Sequence, residues 1–313
     1  MQRTSFKYVV ASLVLLILAA ADLLTGTVRT LDPDIVINLR LPRMLTAGFA
    51  GAALSLAGLQ MQSIFRNPLS DPYIMGISSG SGLFVAMALM IGGRSLPGMG
   101  LVGSAFAGAL AVSFTVLGIS GKVRGTTTLL LFGVMLGMVV SAVTQLLASM
   151  APEGQLKMYY SWASGSFQAT DLRGVAVLGL SLAAGLIMAL WNRRGLDVTL
   201  FGDDFTFLSG LSPKVIRFVA LVSACILTAA VTAFCGPVGF VGIVAPHISR
   251  RLLGKSRHAL LIPMSLIMGA SFAILADILS QCTGHALPVG SVMAVTGIPV
   301  IIYIIWKDNA VRG

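Results

Sequence analysis

The chain has 313 residues, of which 56% are hydrophobic and only 10% charged, with a mean hydropathy of +0.93. A soluble domain carries roughly 25% charged residues, so this composition excludes an ordinary soluble protein and defines a polytopic membrane protein. The net charge of +10 would suggest nucleic acid in a soluble chain, but no basic run is interleaved with aromatics, and cations of membrane proteins collect on the cytoplasmic side.

Arg3 and Lys7 precede an apolar run from Tyr8 to Ala21, closed by Asp22. Ala19, Ala20 and Ala21 resemble a signal-peptide cleavage site, but the apolar run extends through Leu24 and reads as an uncleaved first span. Residues 25–40 are polar and form an outside loop. Arg40-Leu41-Pro42-Arg43 opens a second span, with Pro in the first turn where no hydrogen bond is lost, and the span ends at Arg66-Asn67-Pro68. Further spans run from about Ile74 to Ile91, Leu101 to Ile119 and Thr127 to Met150. Tyr159, Tyr160 and Trp162 follow, at headgroup level, with a Gly/Ser-rich turn. A sixth span covers about Leu172 to Leu190, a long polar loop residues 192–214, and a seventh span about Ile216 to Phe234.

Residues 236–258 form a broken segment. Gly236 to Gly242 is too rich in Gly and Pro for regular helix, and Ile243 to Leu253 is too short to cross a bilayer. Such breaks are tolerated at membrane depth only where protein covers them or they line a wet path. Arg250, Arg251, Lys255 and Arg257 then mark a cytoplasmic end. Spans from about Leu260 to Leu279 and Leu287 to Trp306 complete an all-α integral membrane chain of about ten helices, residues 1–313 as one permease domain, with both termini cytoplasmic. The bias supports this: Arg66, Lys122, Arg124, Arg193, Arg194, Lys214, Arg217, Lys307 and Arg312 also fall inside, whereas Arg29, Arg40, Arg43, Arg94, Lys157 and Arg173 fall outside.

Several motifs reduce to packing or loops. Gly254-Lys255-Ser256 resembles the end of a P-loop, but Ser249 stands where a P-loop needs Gly, so the chain is not expected to bind ATP. Gly76 to Gly80 fits G-x-S-x-G but starts a membrane helix instead of a strand–turn–helix, so Ser78 is not a nucleophile. Small residues spaced four apart (Gly48 with Ala52, Gly133 with Gly137, Gly269 with Ala273) predict close helix packing. Asp277 reads as a group at the outer rim with Gln281 as partner. Cys225, Cys235 and Cys282 lack metal spacing, and neither a structural metal nor a resident cofactor is expected. Asp203 and Asp204 sit in the cytoplasmic loop among Phe201, Phe205, Phe207 and Leu208, an apolar content that predicts contact with another protein.

Arg40 to Arg43, Gln62 to Pro72, Gly236 to Gly254 and Leu287 to Ile305, in this order, resemble the FecCD-like permease subunits of type II ABC importers for iron–siderophore, haem and cobalamin uptake. The resemblance implies ten helices per subunit, a second permease subunit, two cytoplasmic ATPase subunits and a periplasmic binding protein, with no bond chemistry in this chain. It implies that Arg40 and Arg43 meet acidic groups of the binding protein, charge complementarity that steers docking more than it adds affinity. It also implies that residues 198–214, with Asp203, Asp204 and Gly210, form a coupling loop of two short helices on the ATPase, and that Thr126 and Thr127 form the inner gate. The chain departs from the pattern at Phe205 and Thr206, where small alanines are usual, at Gln281, where an arginine is usual, and at Ala286, where an acid is usual. An ion-coupled transporter would need ionisable groups near the membrane centre, and only Asp277 comes close.

Overall fold

The computed structural model describes residues 2–25, 32–92, 98–123, 125–168, 170–282 and 287–312. Arg29, Arg94, Arg124, His285 and Ala286 lie outside that set, as do the side chains of Arg3, Ile305, Lys307 and Arg312. The elements in order are α1 (Gln2–Leu24), α2 (Pro33–Ile35), a π-turn (Val36–Arg40), α3 (Leu41–Ile64), a 3-10 turn (Pro72–Met75), α4 (Ile77–Gly92), α5 (Gly98–Ser120) and α6 (Thr126–Ser149). They continue with α7 (Glu153–Ala163), α8 (Leu172–Thr199), α9 (Asp203–Leu208), α10 (Pro213–Cys235), α11 (Val241–Leu253), α12 (His258–Gln281) and α13 (Val289–Arg312). Seven helices are long and apolar enough to cross a membrane; the apolar stretches Ile77–Ile91 and Val289–Tyr303 are shorter, and α11 has 13 residues. Together these are the ten expected helices among the described residues.

Burial ranks them. The apolar windows of Pro33–Ile64 and Pro213–Cys235 are each 78% buried and that of α12 is 56% buried, against 11% for α1 and 22% for α6. So α3, α10 and α12 form the centre, while α1 and α6 lie outside with wide apolar faces turned outward. Helices in lipid gain little from burying apolar surface against one another, so contact depends on small residues and buried hydrogen bonds. Both occur here. A Cβ on Gly51 would lie 2.2 Å from the Gly269 carbonyl oxygen, and one on Gly58 would lie 2.0 Å from that of Gly242. Gly269 and Ala273 therefore do pack closely, but against Gly51 of α3; a Cβ on Gly48 would meet only Ile274 at 3.6 Å. Gln60 donates to Ser223 at 2.9 Å, Ser223 to the Gly185 carbonyl at 3.1 Å, and Ser55 to the Ser265 carbonyl at 2.8 Å.

Local chemistry moves several boundaries. The second span begins at Pro33 and not at Arg40, because the Asp32 carboxylate accepts the Asp34 N–H and Pro33 sits where a helix needs no donor. The aromatic turn after the fifth span is an 11-residue helix, α7, with Tyr159, Tyr160 and Trp162 on it. The sixth span does not stop at Leu190: α8 runs on to Thr199. The broken segment is as irregular as its Gly and Pro content predicted. Phe240 takes the left-handed conformation (φ 70°), and its carbonyl accepts from both Ile243 and Val244 to start α11. Gly242 sits inside the bundle, its carbonyl taking the Gln62 amide at 3.0 Å. The exposed polar backbone of a broken helix is thus satisfied by protein.

Candidate coupling and pathway sites

At one end of the bundle a short helix stands proud. The α9 helix begins after Gly202 (φ 115°) and ends in a Schellman turn. Gly210 has φ 77°, its N–H bonds to the Phe207 carbonyl at 3.0 Å, and the Leu211 N–H reaches Thr206 at 3.2 Å. Only Gly takes this φ without strain, which gives Gly210 a mechanical reason beside its expected coupling role. Phe201, Phe207 and Leu208 are 74%, 73% and 83% exposed, a run of large apolar groups that water does not favour. Beneath them, Asp203 is held from two sides: Arg217 donates to it at 2.8 Å, and Arg66 reaches its other oxygen. Arg66 also donates to the Thr199 carbonyl at 2.9 Å. Asp203 is therefore a strut that ties α9 to α10 directly and, through Arg66 in the turn after α3, to the last residue of α8, whereas Asp204 is exposed. The expected loop of two short helices contains one, α9, joined by turns to the end of α8 and the start of α10.

The same end carries a second knot. His258 opens α12, is 1% exposed, and places Nδ1 2.6 Å from Asp197 of α8 and Nε2 2.7 Å from Ser63 of α3. Ser63 also bonds to the Leu59 carbonyl at 2.8 Å. No sequence pattern marked this cluster, because its members are 195 and 61 positions apart. Its Ser, His and Asp types resemble a hydrolytic triad, but Ser63 and His258 are each 1% exposed, so a substrate does not reach the serine. The expected gate residues Thr126 and Thr127 form the first turn of α6, after Gly125 at φ 95°; Thr126 is half-buried and Thr127 exposed.

At the opposite end, Arg43 donates twice to Asp277, from Nε at 2.7 Å and Nη2 at 2.8 Å. Asp277 is 0% exposed and is the buried counter-ion of Arg43 at this end. Gln281 bonds it at 3.1 Å, as expected, and reaches Asp22 of α1 at 3.2 Å. Arg40 is buried and donates to the Leu23 carbonyl at 2.9 Å. Both arginines predicted to dock a partner are engaged within the chain. A sequence cannot show this, since the partners of Arg43 are 234 positions away.

Two clefts open along α6. One of about 340 Å³ is walled by α4, α6 and α7, through Ser79, Ser141, Thr144, Gln145, Tyr159 and Trp162. The other, about 500 Å³, shares Ser79, Ser141 and Gln145 and adds Tyr73, Gly137 and Met138. The Gly76-to-Gly80 motif forms part of this wall: Gly76 (φ 76°) ends the 3-10 turn and Ser79 accepts from Ser141 at 3.0 Å. A Cβ on Gly76 would lie 2.9 Å from the Gly137 Cα, so small residues let α6 press on the turn.

A bundle of long and broken apolar helices, with uncharged clefts along α6 and a braced short helix at one end, is a membrane transport subunit. Residues 6–307 match the FecCD transport family, and the chain belongs to it, as a multi-pass inner-membrane permease of type II ABC importers in which ATP is hydrolysed on separate subunits. It is 32% identical to the vitamin B12 import system permease BtuC of Escherichia coli O127:H6, covering 98% of this chain and 97% of that one. It is also 32% identical to a protein of Helicobacter pylori 26695 named a probable iron chelatin transport system permease, over 88% of this chain and 84% of that one. A solved structure described as an inward-facing conformation of a metal-chelate type ABC transporter superposes with a TM-score of 0.88 at 28% identity, over 96% and 98% of the two chains.

Proposed function

We propose that this permease passes an iron chelate, a siderophore or haem, inward across the membrane, driven by ATP hydrolysis on partner chains. The observation that carries the reading is α9: exposed Phe207 and Leu208, with Phe201 just before the helix, braced through Asp203 to Arg217 of α10 and to Arg66 just past α3. Such a helix transmits force from a protein bound to its apolar side into α3, α8 and α10. One ATPase subunit binds there and a second binds the same helix of the second permease copy, with Asp203 and Gly210 holding the shape and Asp204 facing the partner. Thr126 and Thr127 close the inner end of the path. The two termini lie in the cytoplasm. A second copy of the chain covers the exposed apolar face of α6, where Met135, Met138 and Val139 are 62%, 68% and 62% exposed. A periplasmic binding protein docks at the outer end around Arg40 and Arg43; because Asp277 neutralises Arg43, that residue contributes position more than net charge. Each nucleotide state of the ATPases then shifts access by binding one conformation better than the other.

Cobalamin is the second reading, favoured by the identity to a permease named for vitamin B12 import. Proteoliposomes holding the permease with its ATPase and binding protein test both. ATP-dependent accumulation of radiolabelled ferric siderophore or haem supports the first reading, and accumulation of cobalamin alone the second. Uptake that persists without ATP and collapses with the proton gradient refutes both.

A further inference from the structure

The His258 cluster is closed to substrate, so its use is mechanical, and its place shows which parts it joins. Asp197 lies in the last turn of α8, just before Thr199, whose carbonyl holds Arg66, and just short of the coupling helix α9. Its Oδ1 takes two hydrogens from the first residue of α12: the His258 backbone N–H at 2.7 Å and the ring Nδ1–H at 2.6 Å. Arg257, which precedes α12, makes no side-chain cap. Asp197 therefore caps α12 from another helix, with a carboxylate at the positive end of the helix dipole. On its other side the imidazole places Nε2 2.7 Å from Ser63 at the end of α3. One buried ring thus joins the ends of α3, α8 and α12.

Beyond this joint, α3 and α12 run as one body. Ser55 donates to the Ser265 carbonyl at 2.8 Å, a Cβ on Gly269 would stand 2.3 Å from the Gly51 carbonyl oxygen, and Arg43 holds Asp277 through two bonds. Ser63 and Arg43 are about 30 Å apart along α3, the thickness of a hydrocarbon core. A helix pair pinned at both ends and twice between cannot slide without breaking buried hydrogen bonds, so it moves as a unit. Coupling between distant sites is carried by packed, hydrogen-bonded elements of this kind.

We propose that His258 and Asp197 are positioning residues of the transport cycle: they form a second joint beside Asp203, through which displacement of α9 reaches the α3–α12 pair and, with it, the outer end around Arg43. The Asp203 strut enters α10 and the turn after α3; the Asp197 bonds are what carry the foot of α8 into α12. The side-chain half of the joint depends on one hydrogen at Nδ1, because a carboxylate only accepts.

This joint deepens the ATP-driven cycle proposed above, so the assembled transporter is read in two ways, one of them without cargo. Spin labels on Cys282, exposed at the outer end of α12, and on Lys157→Cys, exposed in α7, report movement of the outer end by their distance with and without trapped ATP; Cys225 and Cys235 are buried. Proteoliposomes give the ATP hydrolysed per chelate imported, with ferrichrome and cyanocobalamin as probes. Asn at position 258 sets its amide N–H near the place of Nδ1, whereas Gln sets its own near Nε2. His258→Asn should therefore keep the ATP-driven change in distance and the parent's ATP-to-chelate ratio. His258→Gln should lose that change and hydrolyse about tenfold more ATP per chelate, as expected for one lost hydrogen bond to a charged group. Asp197→Leu, at a side chain 30% exposed, should repeat the His258→Gln result, while Lys255→Ala, exposed in the loop before α12, should change neither readout. Three results overturn the joint: ATPase and uptake that fall together at an unchanged ratio with the distance change intact, which is packing alone; His258→Gln and Asp197→Leu as well coupled as His258→Asn; or no effect of ATP on the distance in the parent. A parent that moves its labels with ATP yet imports neither probe counts against the import reading, and the distances alone then decide the joint.

Discussion

Replacing Asp277 by Ala isolates what holds the outer end together. The Arg43 side chain is 14% exposed and Asp277 0%, and two charge-assisted hydrogen bonds of 2.7 and 2.8 Å join them. Removing one member of a buried pair costs about 3–5 kcal/mol, because the other charge is left without its partner in a medium that solvates it badly. Here the loss should fall at the low end, about 3 kcal/mol, since Gln281 bridges to Asp22 and that carboxylate can turn toward Arg43. Reversible unfolding in mixed micelles would measure it for Asp277→Ala, for Asp22→Asn with Asp277→Ala, and for Arg43→Met with Asp277→Leu. The second should lose more than the first. The third, which removes both charges and keeps apolar volume, should return to within about 1–2 kcal/mol of the parent. A loss below about 1 kcal/mol in the single variant, or an apolar double variant worse than the single, would refute a buried pair as the joint between α3 and α12.

The remaining predictions concern other joints. Asp203→Ala frees Arg66 and Arg217 and should uncouple ATP hydrolysis from uptake while changing global stability by no more than about 1 kcal/mol, as the carboxylate is 38% exposed; Asp204→Ala should affect coupling less, and equal effects would remove the strut. Gly58→Ala puts a methyl 2.0 Å from the Gly242 carbonyl oxygen and should cost about 1–3 kcal/mol or prevent assembly of the bundle, whereas Gly103→Ala, with open space around it, should be silent; both are read by the same unfolding assay. Burial raises the Tyr159 phenol, so its neutral form is the one that packs. The packing it supplies should be complete below about pH 10 and lost only as pH rises through the higher folded value; the phenolate absorbance missing in Tyr159→Phe should appear late, and an ordinary titration would show the ring to be exposed.

The sequence by itself determined the class of protein. Scarce charge, long apolar runs and cations biased to one side depend on solvation by lipid, which acts on each segment separately, so a linear reading captures them. The Gly and Pro around residues 236–242 announced a broken helix for the same local reason. What tertiary structure decided is which polar groups meet. The pairing of Arg43 with Asp277, the two arginines on Asp203 and the His258 cluster join helices far apart in the chain. In a bundle whose apolar surfaces are nearly equivalent, position along a sequence carries no information about which helix becomes a neighbour. That choice rests on where Gly51 and Gly58 let α12 and α11 come close, and on the cost of leaving a polar group without a partner, which only the folded arrangement can satisfy.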